Sequence, residues 1–398
     1  MINVRSHLTH LRWLLFMVCL VPAAASGKYF YSAGGNTGHP LDEDAVVRLT
    51  YNCHFDEALN LLGDSTNKDI DPIKWNFFRG VVLWHNLVFL DSAMASDKSV
   101  DNNFTRAIAQ TIDIGERTLA QNPNDTAALF CTGFAFGYLA KYDASKGDEF
   151  KAASDGKKGL SYHRKFIEMS RLQGASSPAI CDAYFSLALF NYYTSGLAWY
   201  LKPLLFILGE SGSKEKAYEY LTLAGKNGRF TKYEAEDILG EFYAREEQFD
   251  SVAVVYHHLI SQFPDAFLFY FDKLSWALAN HKEYNRCAMM CLEAIKASYT
   301  HRLTQVDSLY LAKIYFRLAG CYEETGNYGE AMQTFNGMID RNMMPSFAAR
   351  AHFSVGKLYE RANDPQDAIR EYEWVVNSGT VPELVNQARE RLGNLTTR

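Results

Sequence analysis

From residue 231 to about 378, small and aromatic residues recur at fixed separations. In the first unit Gly240 precedes Tyr243 by three residues, and Val252 precedes Tyr256 by four. Such spacings place both members of a pair on one face of a helix. The second small position recurs 35, 44 and 37 residues apart, at Val252, Cys287, Ala331 and Ala368. The pattern predicts four repeated units of two helices each.

Each unit is predicted to be a helical hairpin with a short turn, such as residues 324–328. Small residues let the two helices approach closely, and the aromatic residues fill the gap to the next hairpin. One hairpin cannot bury its apolar face alone, so neighbouring hairpins must stack. The predicted fold class is therefore an all-α helical-hairpin solenoid.

The first half of the chain also matches helical hairpins, but its small and aromatic residues follow the repeat spacing less regularly. Residues 54–58 match a turn and a helix start, and residues 122–126 match a turn that leads into a helix over 127–140. Residues 151–159 open another helical segment, with a helix over 160–172. The predicted organisation is a signal peptide at 1–25, a flexible leader at 26–40, a divergent helical-hairpin region at 41–230, four repeats at 231–380, and a C-terminal capping helix and tail at 381–398.

The first 25 residues have the order of a secretory signal. Arg5 and Arg12 flank a polar start, residues 13–21 are apolar, and Ala23 and Ala25 supply small residues for cleavage. The apolar run is too short to span a bilayer stably, although an uncleaved anchor is the alternative. We expect export, with the periplasm of a double-membraned bacterium as the destination.

The amino-acid composition further limits the fold class and the kind of partner. The chain has 398 residues, of which 48% are hydrophobic, and only 10 prolines, which favours a well-packed helical protein. Its net charge is −6, and no basic cluster provides a footprint for nucleic acid. We therefore expect no nucleic-acid partner.

Six cysteines follow the predicted signal: Cys53, Cys131, Cys181, Cys287, Cys291 and Cys321. Export permits disulfides, but the wide, irregular spacing favours buried free thiols. Cys287 and Cys291, with His281 nearby, suggest a soft-metal site as an alternative. Because both cysteines occupy inward-facing repeat positions, we predict no metal and no cofactor.

Catalytic patterns are absent from the sequence. There is no G-x-S-x-G, H-E-x-x-H or paired-carboxylate constellation, and Gly209 to Lys214 lacks the spacing of a phosphate loop. We predict that the protein is not an enzyme; a dispersed, unrecognised site stays open as a third possibility.

Residues 183–201 carry no charge over a length sufficient for a membrane span. Polar residues at 191–196 fall in the middle, where insertion is least favourable, so a buried hairpin is predicted. An exposed apolar lip at 199–208, facing a partner or a membrane surface, is the alternative.

The repeat over 231–378 resembles the tetratricopeptide repeat, with small residues at its eighth and twentieth positions and aromatic residues at its eleventh and twenty-fourth. Leu278 in place of an aromatic residue and Cys287 in place of alanine depart from the pattern. Residues 147–228 also resemble a segment of exported bacterial tetratricopeptide proteins and, remotely, the family of the yeast inclusion-body clearance protein. The resemblance implies a right-handed superhelix and an interaction role, with no catalytic residue carried over.

The same resemblance implies a concave groove lined by the first helix of each hairpin. The positions that it selects run from acidic to basic along the chain: Glu234, Asp237, Glu241, Arg245, Asp272, Trp276, Lys313, Phe316, Glu323, Arg350, Phe353, Lys357 and Arg361. We predict a non-enzymatic scaffold that binds a protein or peptide in this groove. The alternative is a small-molecule or lipid-binding protein whose pocket is formed by the aromatic middle: Phe185, Phe190, Tyr192, Tyr193, Trp199, Tyr200 and Phe206.

Overall fold

The computed structural model describes residues 41–63, 71–89, 98–172, 178–195, 212–300, 305–341 and 343–396. The predicted signal peptide and leader lie outside these residues. Almost all of the described residues are in α-helices, and none of them is in a β-strand. The chain forms two compact units, one that ends at Leu239 and one that begins at Gly240. The sequence-based division at residue 231 stays a prediction.

The described helices of the first unit pack mostly against their neighbours in sequence. They are α1 (Glu43–Tyr51), α2 (Phe55–Leu62), α3 (Pro72–Phe89), α4 (Lys98–Gln121), α5 (Thr126–Ser145), α6 (Glu149–Leu172), α7 (Pro178–Ser195), α8 (Lys214–Asn227) and the first part of α9 (Lys232–Arg245). Side-chain caps fix several starts. Asp125 Oδ1, for example, accepts a hydrogen bond from Ala128 N at 2.9 Å, which satisfies one of the free amides of that helix end.

The second unit continues as stacked hairpins. Its helices after α9 are α10 (Phe249–Gln262), α11 (Phe267–Asn280), α12 (Tyr284–Ser298), α13 (Gln305–Glu324), α14 (Tyr328–Asp340), α15 (Pro345–Arg361), α16 (Pro365–Ser378) and α17 (Pro382–Thr396). Consecutive helices pack together, and α11, α13, α15 and α17 also contact one another in that order. These four helices form one layer. The prediction of an all-α, tetratricopeptide-like arrangement of helical hairpins is confirmed.

One turn geometry recurs in both units. A three-residue turn places its middle residue at positive φ at each of Cys53, Gly147, Glu247, Lys282, Gly326 and Asn363. The amide of the next residue donates to a carbonyl five positions earlier; Asn327 N, for instance, lies 2.8 Å from Tyr322 O. This hydrogen bond closes a helix C-terminus in the Schellman manner. The last four turns have the same separations as the anchors of the predicted repeat.

The small and aromatic positions of the repeat pack as the sequence predicts. A Cβ atom on Gly240 would lie 3.2 Å from the ring of Tyr256, and one on Gly356 would lie 2.7 Å from the ring of Tyr372. Both tyrosines are fully buried. The absence of a side chain at the glycine thus lets each aromatic ring sit against the backbone of the preceding helix.

Glycines in the first unit have a similar role. The segment 149–172 is one continuous helix, α6, rather than a helix that begins at residue 160. A Cβ atom on Gly159 would lie 2.7 Å from Gly133 O, and one on Gly133 would lie 2.3 Å from the ring of His163. The glycine-rich segment therefore serves the close packing of α5 on α6 and does not interrupt the helix.

A short segment before α9 is fixed deep in the first unit. Phe230 is buried among the rings of Phe77 and Phe134, with centroids 5.1 and 5.3 Å away. Asp182 Oδ1 accepts hydrogen bonds from Phe230 N at 2.8 Å and Thr231 N at 2.6 Å. Burial raises the pKa of this carboxyl group to about 6, against the effect of these hydrogen bonds.

Candidate functional site

The two predicted groove residues of the first unit lie in its interior. Glu234 is fully buried, and its Oε1 accepts a hydrogen bond from Lys141 Nζ at 2.7 Å. Asp237 is buried as well. The prediction that they line an open groove is wrong for these side chains, because α9 turns them toward the core. Position counting along one helix could not show that α5 supplies a buried lysine.

The acidic positions of the second unit are held by cations. Glu241 Oε1 lies 3.1 Å from Lys273 Nζ. Asp272 is buried and pairs with Arg317, with Lys313 Nζ 4.0 Å away. The acidic end of the predicted gradient is therefore neutralised within the unit.

Four further predicted residues also lie outside the open surface described below. Phe353 is buried with its ring 5.5 Å from that of Tyr372, so it belongs to the core. Trp276 and Arg245 are half-buried, and Arg350 is exposed. None of these four lines the groove that the structure does form.

An open groove of about 950 Å³ lies in the second unit along α11, α13, α15 and α17. It brings together five of the predicted residues: Lys313, Phe316, Glu323, Lys357 and Arg361. That these residues bind a partner stays a prediction. The groove also contains Glu324, which the same counting selects, and residues that counting missed: Ala279, Tyr284, Arg317, Gly320, Cys321, Tyr328, Phe347, Leu358, Glu360 and Arg391.

Two features of the sequence point to groove residues that the position counting did not select. Tyr284 and Tyr328 each begin the second helix of a hairpin, directly after the recurrent turn, and the counting scheme considered first helices only. Arg391 belongs to α17, which the sequence presented as a terminal cap. The groove is thus built partly from turn-proximal aromatic residues and from the last helix.

The groove has an excess of positive charge. Its cationic residues are Lys313, Arg317, Lys357, Arg361 and Arg391, and its carboxylates are Glu323, Glu324 and Glu360; Asp272, which pairs with Arg317, lies outside the lining. The chain as a whole has a net charge of −6. The charge of this surface is therefore opposite in sign to that of the protein that contains it, which favours an acidic ligand.

Ion pairs and ring contacts position the cations. Arg391 Nη1 lies 3.0 and 3.1 Å from the two carboxylate oxygens of Glu360. Lys357 Nζ is 3.8 Å from Glu323 Oε1, and burial raises the pKa of Glu323. The exposed guanidinium of Arg361 lies 4.1 Å from the ring centroid of Tyr328. Such a contact orients Arg361 while its hydrogen-bond donors stay accessible.

Aromatic side chains supply apolar wall surface between these charges. The half-buried ring of Phe316 lies 5.5 Å from that of Phe335 and 6.2 Å from that of Phe347. Tyr284 and Tyr328 also contribute to the lining. The surface thus combines apolar contact with orienting charge, as protein-recognition surfaces do.

The alternative aromatic site is only partly described. Phe185 and Tyr192 are buried, and Phe190 is half-buried with the Arg164 guanidinium 5.7 Å from its ring centroid. The other members named for that pocket, Tyr193, Trp199, Tyr200 and Phe206, fall outside the described side chains, as does the predicted apolar lip. A ligand pocket there stays a prediction.

The described residues also bear on metal binding and on membrane insertion. Within them, no three His, Cys, Asp or Glu side chains are arranged to hold a metal ion. Cys287 and Cys291 are both fully buried, as their inward repeat positions predict. No helix among the described segments combines the length and apolar character needed to cross a membrane.

No protein-family model matches the chain, and no curated protein matches it. Solved structures with a similar course of the chain include yeast Tom70, at 13% sequence identity and a TM-score of 0.35. The match covers 84% of this chain and 66% of the Tom70 chain. They also include the apo form of the quorum sensor NprR from B. thuringiensis, at 11% sequence identity and a TM-score of 0.40. This match covers 84% of this chain and 85% of the NprR chain. The TPR domain of P58(IPK) is also similar, at 16% sequence identity and a TM-score of 0.25. This match covers 89% of this chain and 98% of the P58(IPK) chain. The resemblance to exported bacterial proteins and to the inclusion-body clearance family stays a prediction.

Proposed function

We propose that the protein is a non-enzymatic scaffold whose second unit binds an acidic, aromatic-containing segment of a protein partner. The observation that carries this proposal is the open groove along α11, α13, α15 and α17, in which five cationic side chains outnumber three carboxylates between aromatic walls. Stacked hairpins hold this surface on rigid helices, which keeps the cost of ordering it on binding low.

Charge supports an acidic ligand. The basic groove residues on α15, Lys357 and Arg361, lie one helical turn apart. A carboxylate of a partner would reach Arg361 at an exposed position and would compete with Glu323 for Lys357. Complementary charge steers association and orients the ligand more than it adds affinity.

Shape supports a segment rather than an enclosed small molecule. A groove of about 950 Å³ that opens to solvent along several helices presents a long surface. Aromatic anchors in partly buried positions, such as Phe316, are the side chains that supply most of the binding energy at protein interfaces. An extended or helical segment with its own aromatic residue complements such a wall.

The test is a selection from a random-peptide display library against the chain from residue 26 onward. We expect enriched peptides to be acidic with at least one aromatic residue. The variant Lys357→Glu/Arg361→Glu should bind them roughly tenfold more weakly or worse. The control Lys296→Glu/Arg389→Glu changes the same charge at exposed positions outside the groove and should bind as the parent does. Enrichment of neutral or basic peptides, or equal losses in both variants, would refute the proposal.

Export to the periplasm is part of the proposal and rests on residues 1–25 alone. Expressed with its first 25 residues in a double-membraned bacterium, the protein should be recovered from the periplasm with Ser26 as its first residue. Replacement of the apolar run 13–21 by polar residues should leave it in the cytoplasm. Recovery of uncleaved protein in the membrane fraction would favour the anchor instead.

A further inference from the structure

Three cysteines meet at the base of the groove. Cys287 and Cys291 lie one turn apart on α12, and Cys321 lies on α13, which packs against α12. The sulfur of Cys287 is within hydrogen-bonding reach of the thiols of both Cys291 and Cys321. None of the three is in a disulfide in the structure.

Independent contacts fix the same cluster. Cys287 Sγ donates to Ser275 O at 3.3 Å, and Arg317 Nη1 donates to Ser275 Oγ at 2.8 Å. Cys321 follows Arg317 by one turn on α13. Two helices and one serine of α11 thus hold the sulfur atoms of Cys287 and Cys321 beside a guanidinium group.

The two thiols differ in their position at the groove and in acidity. Both are buried, but Cys321 is among the residues that line the groove and Cys287 is not. The neighbouring Cys287 thiol and the charge of Arg317 lower the pKa of Cys321. The neighbouring thiols and burial raise the pKa of Cys287. A thiolate is the reactive form of cysteine, so Cys321 is the better nucleophile of the pair.

We propose that Cys321 and Cys287 form a reversible disulfide when a small peroxide enters the groove, which makes this cluster an oxidative modification site. The Cys321 thiolate attacks one oxygen of hydrogen peroxide; an S–O bond forms, the O–O bond breaks, and the hydroxide that leaves becomes water. The sulfur is then a sulfenic acid.

The second step uses the buried partner. Cys287 loses its proton and attacks the Cys321 sulfur; an S–S bond forms, the S–O bond breaks, and hydroxide leaves as a second water. In total two thiols and one peroxide give one disulfide and two waters, with two electrons passing from sulfur to oxygen. A dithiol reductant restores the thiols by exchange.

Cys291 is the structural member of the cluster. It shares α12 with Cys287, and a disulfide between them would have to form within a single helix, where both side chains leave the same face. The contact across α12 and α13 instead joins two packed helices. The bond that we assign is therefore the interhelical one.

The test treats the full chain from residue 26 onward with stoichiometric hydrogen peroxide, followed by alkylation and tryptic digestion. Cleavage after Arg286, Lys296, Arg317 and Arg341 places Cys287 and Cys291 in one peptide and Cys321 in another. The expected product is a cross-link between these two peptides that disappears on reduction. It should persist in Cys291→Ala and be lost in Cys287→Ala and Cys321→Ala.

The folded state of each variant is checked by its circular dichroism and unfolding temperature before oxidation. Cys131 in the first unit is an internal control that is as buried as Cys321: burial raises the pKa of the Cys131 thiol far above the usual range, so it should stay reduced. A bond within the 287–296 peptide, conversion of Cys321 to a sulfinic acid without cross-linking, or no change in any of the three cysteines would overturn the proposal. These readouts need no binding partner, so they are independent of the proposed function.

Discussion

Four of the six recurrent turns place a residue with a side chain in the left-handed region of φ and ψ. These residues are Cys53, Glu247, Lys282 and Asn363, with φ between 57° and 64°, whereas Gly147 and Gly326 hold the same place elsewhere. The left-handed conformation costs about 1 kcal/mol for a residue other than glycine. The turn geometry is thus imposed by hairpin packing and not by local preference.

Lys282→Gly should raise the free energy of unfolding of the second unit by about 0.5–1 kcal/mol, because glycine adopts this φ without steric cost. Gly326→Ala, the reverse change at the equivalent turn, should lower it by about 1 kcal/mol. Urea denaturation that resolves the transition of the second unit measures both. Shifts of the same sign in the two variants would show that the turn does not control stability.

Gly356 packs against the ring of Tyr372, and this contact gives a second prediction about stability. A Cβ atom on Gly356 would approach the tyrosine ring to 2.7 Å, so Gly356→Ala should destabilise the second unit by about 1–3 kcal/mol through overpacking. Gly320→Ala is the matched control, because no atom lies within 4 Å of its Cβ position and alanine favours the helix by about 1 kcal/mol. Thermal unfolding of the two variants should therefore shift in opposite directions; a milder effect at Gly356 than at Gly320 would contradict this packing.

At the scale of elements, the segment 229–231 contacts four helices of the first unit. Arg229 Nη2 lies 2.8 Å from Asp44 Oδ1 of α1, and the Asp182 carboxylate of α7 holds the backbone at Phe230 and Thr231. The ring of Phe230 fills the space beside α3 and α5. The sequence predicted the helices on either side but not this anchoring, because its partners lie far away along the chain.

Asp182 gives this anchoring a pH dependence. Its pKa is raised to about 6 from an ordinary value of 3.8, so the folded state binds the proton more tightly than the unfolded state does. Its contribution to stability is therefore complete below about pH 4 and is lost as the pH rises through 6. The loss corresponds to about 3 kcal/mol, at roughly 1.4 kcal/mol for each pKa unit.

Asp182→Asn removes this titration and keeps a side-chain oxygen that can accept the hydrogen bonds of Phe230 and Thr231. The difference in unfolding free energy between parent and variant should change by about 3 kcal/mol between pH 4 and pH 7, in favour of the variant at the higher pH. Using this difference cancels the titration of His85 and His163, whose pKa values burial lowers. A difference that is constant across this pH range would contradict the assignment.

At the scale of the whole molecule, the hairpin repeat was predictable and the composition of the groove only partly so. The small–aromatic spacing that pairs Gly240 with Tyr256 depends on one chain segment, and periodicity alone reveals it. The environment of a charged side chain depends on helices distant in sequence. Glu234 is buried against Lys141, whereas Arg361 is exposed beside Tyr328, although both occupy predicted groove positions.

The predicted residues that line the observed groove, such as Lys313 and Lys357, lie on α13 and α15, and their role in binding a partner stays a prediction. The groove prediction failed on α9, because the boundary between the two compact units falls within that helix and its first part is buried in the first unit. Arg391 was missed because α17 supplies both a cap for the last hairpin and a wall of the groove. The periodicity of the repeat does not show that one helix has both of these roles.

The most direct test of the central claim is to locate a bound acidic peptide by photo-crosslinking. A peptide selected against the protein, with a photoreactive phenylalanine in place of its aromatic residue, is irradiated with the chain from residue 26 onward and the adducts are mapped by mass spectrometry. The groove account predicts adducts on α13 and α15, in the stretches 313–324 and 357–361, and their loss in Lys357→Glu/Arg361→Glu. Adducts confined to the first unit, or to α10, α16 and the part of α14 beyond Tyr328, would contradict it.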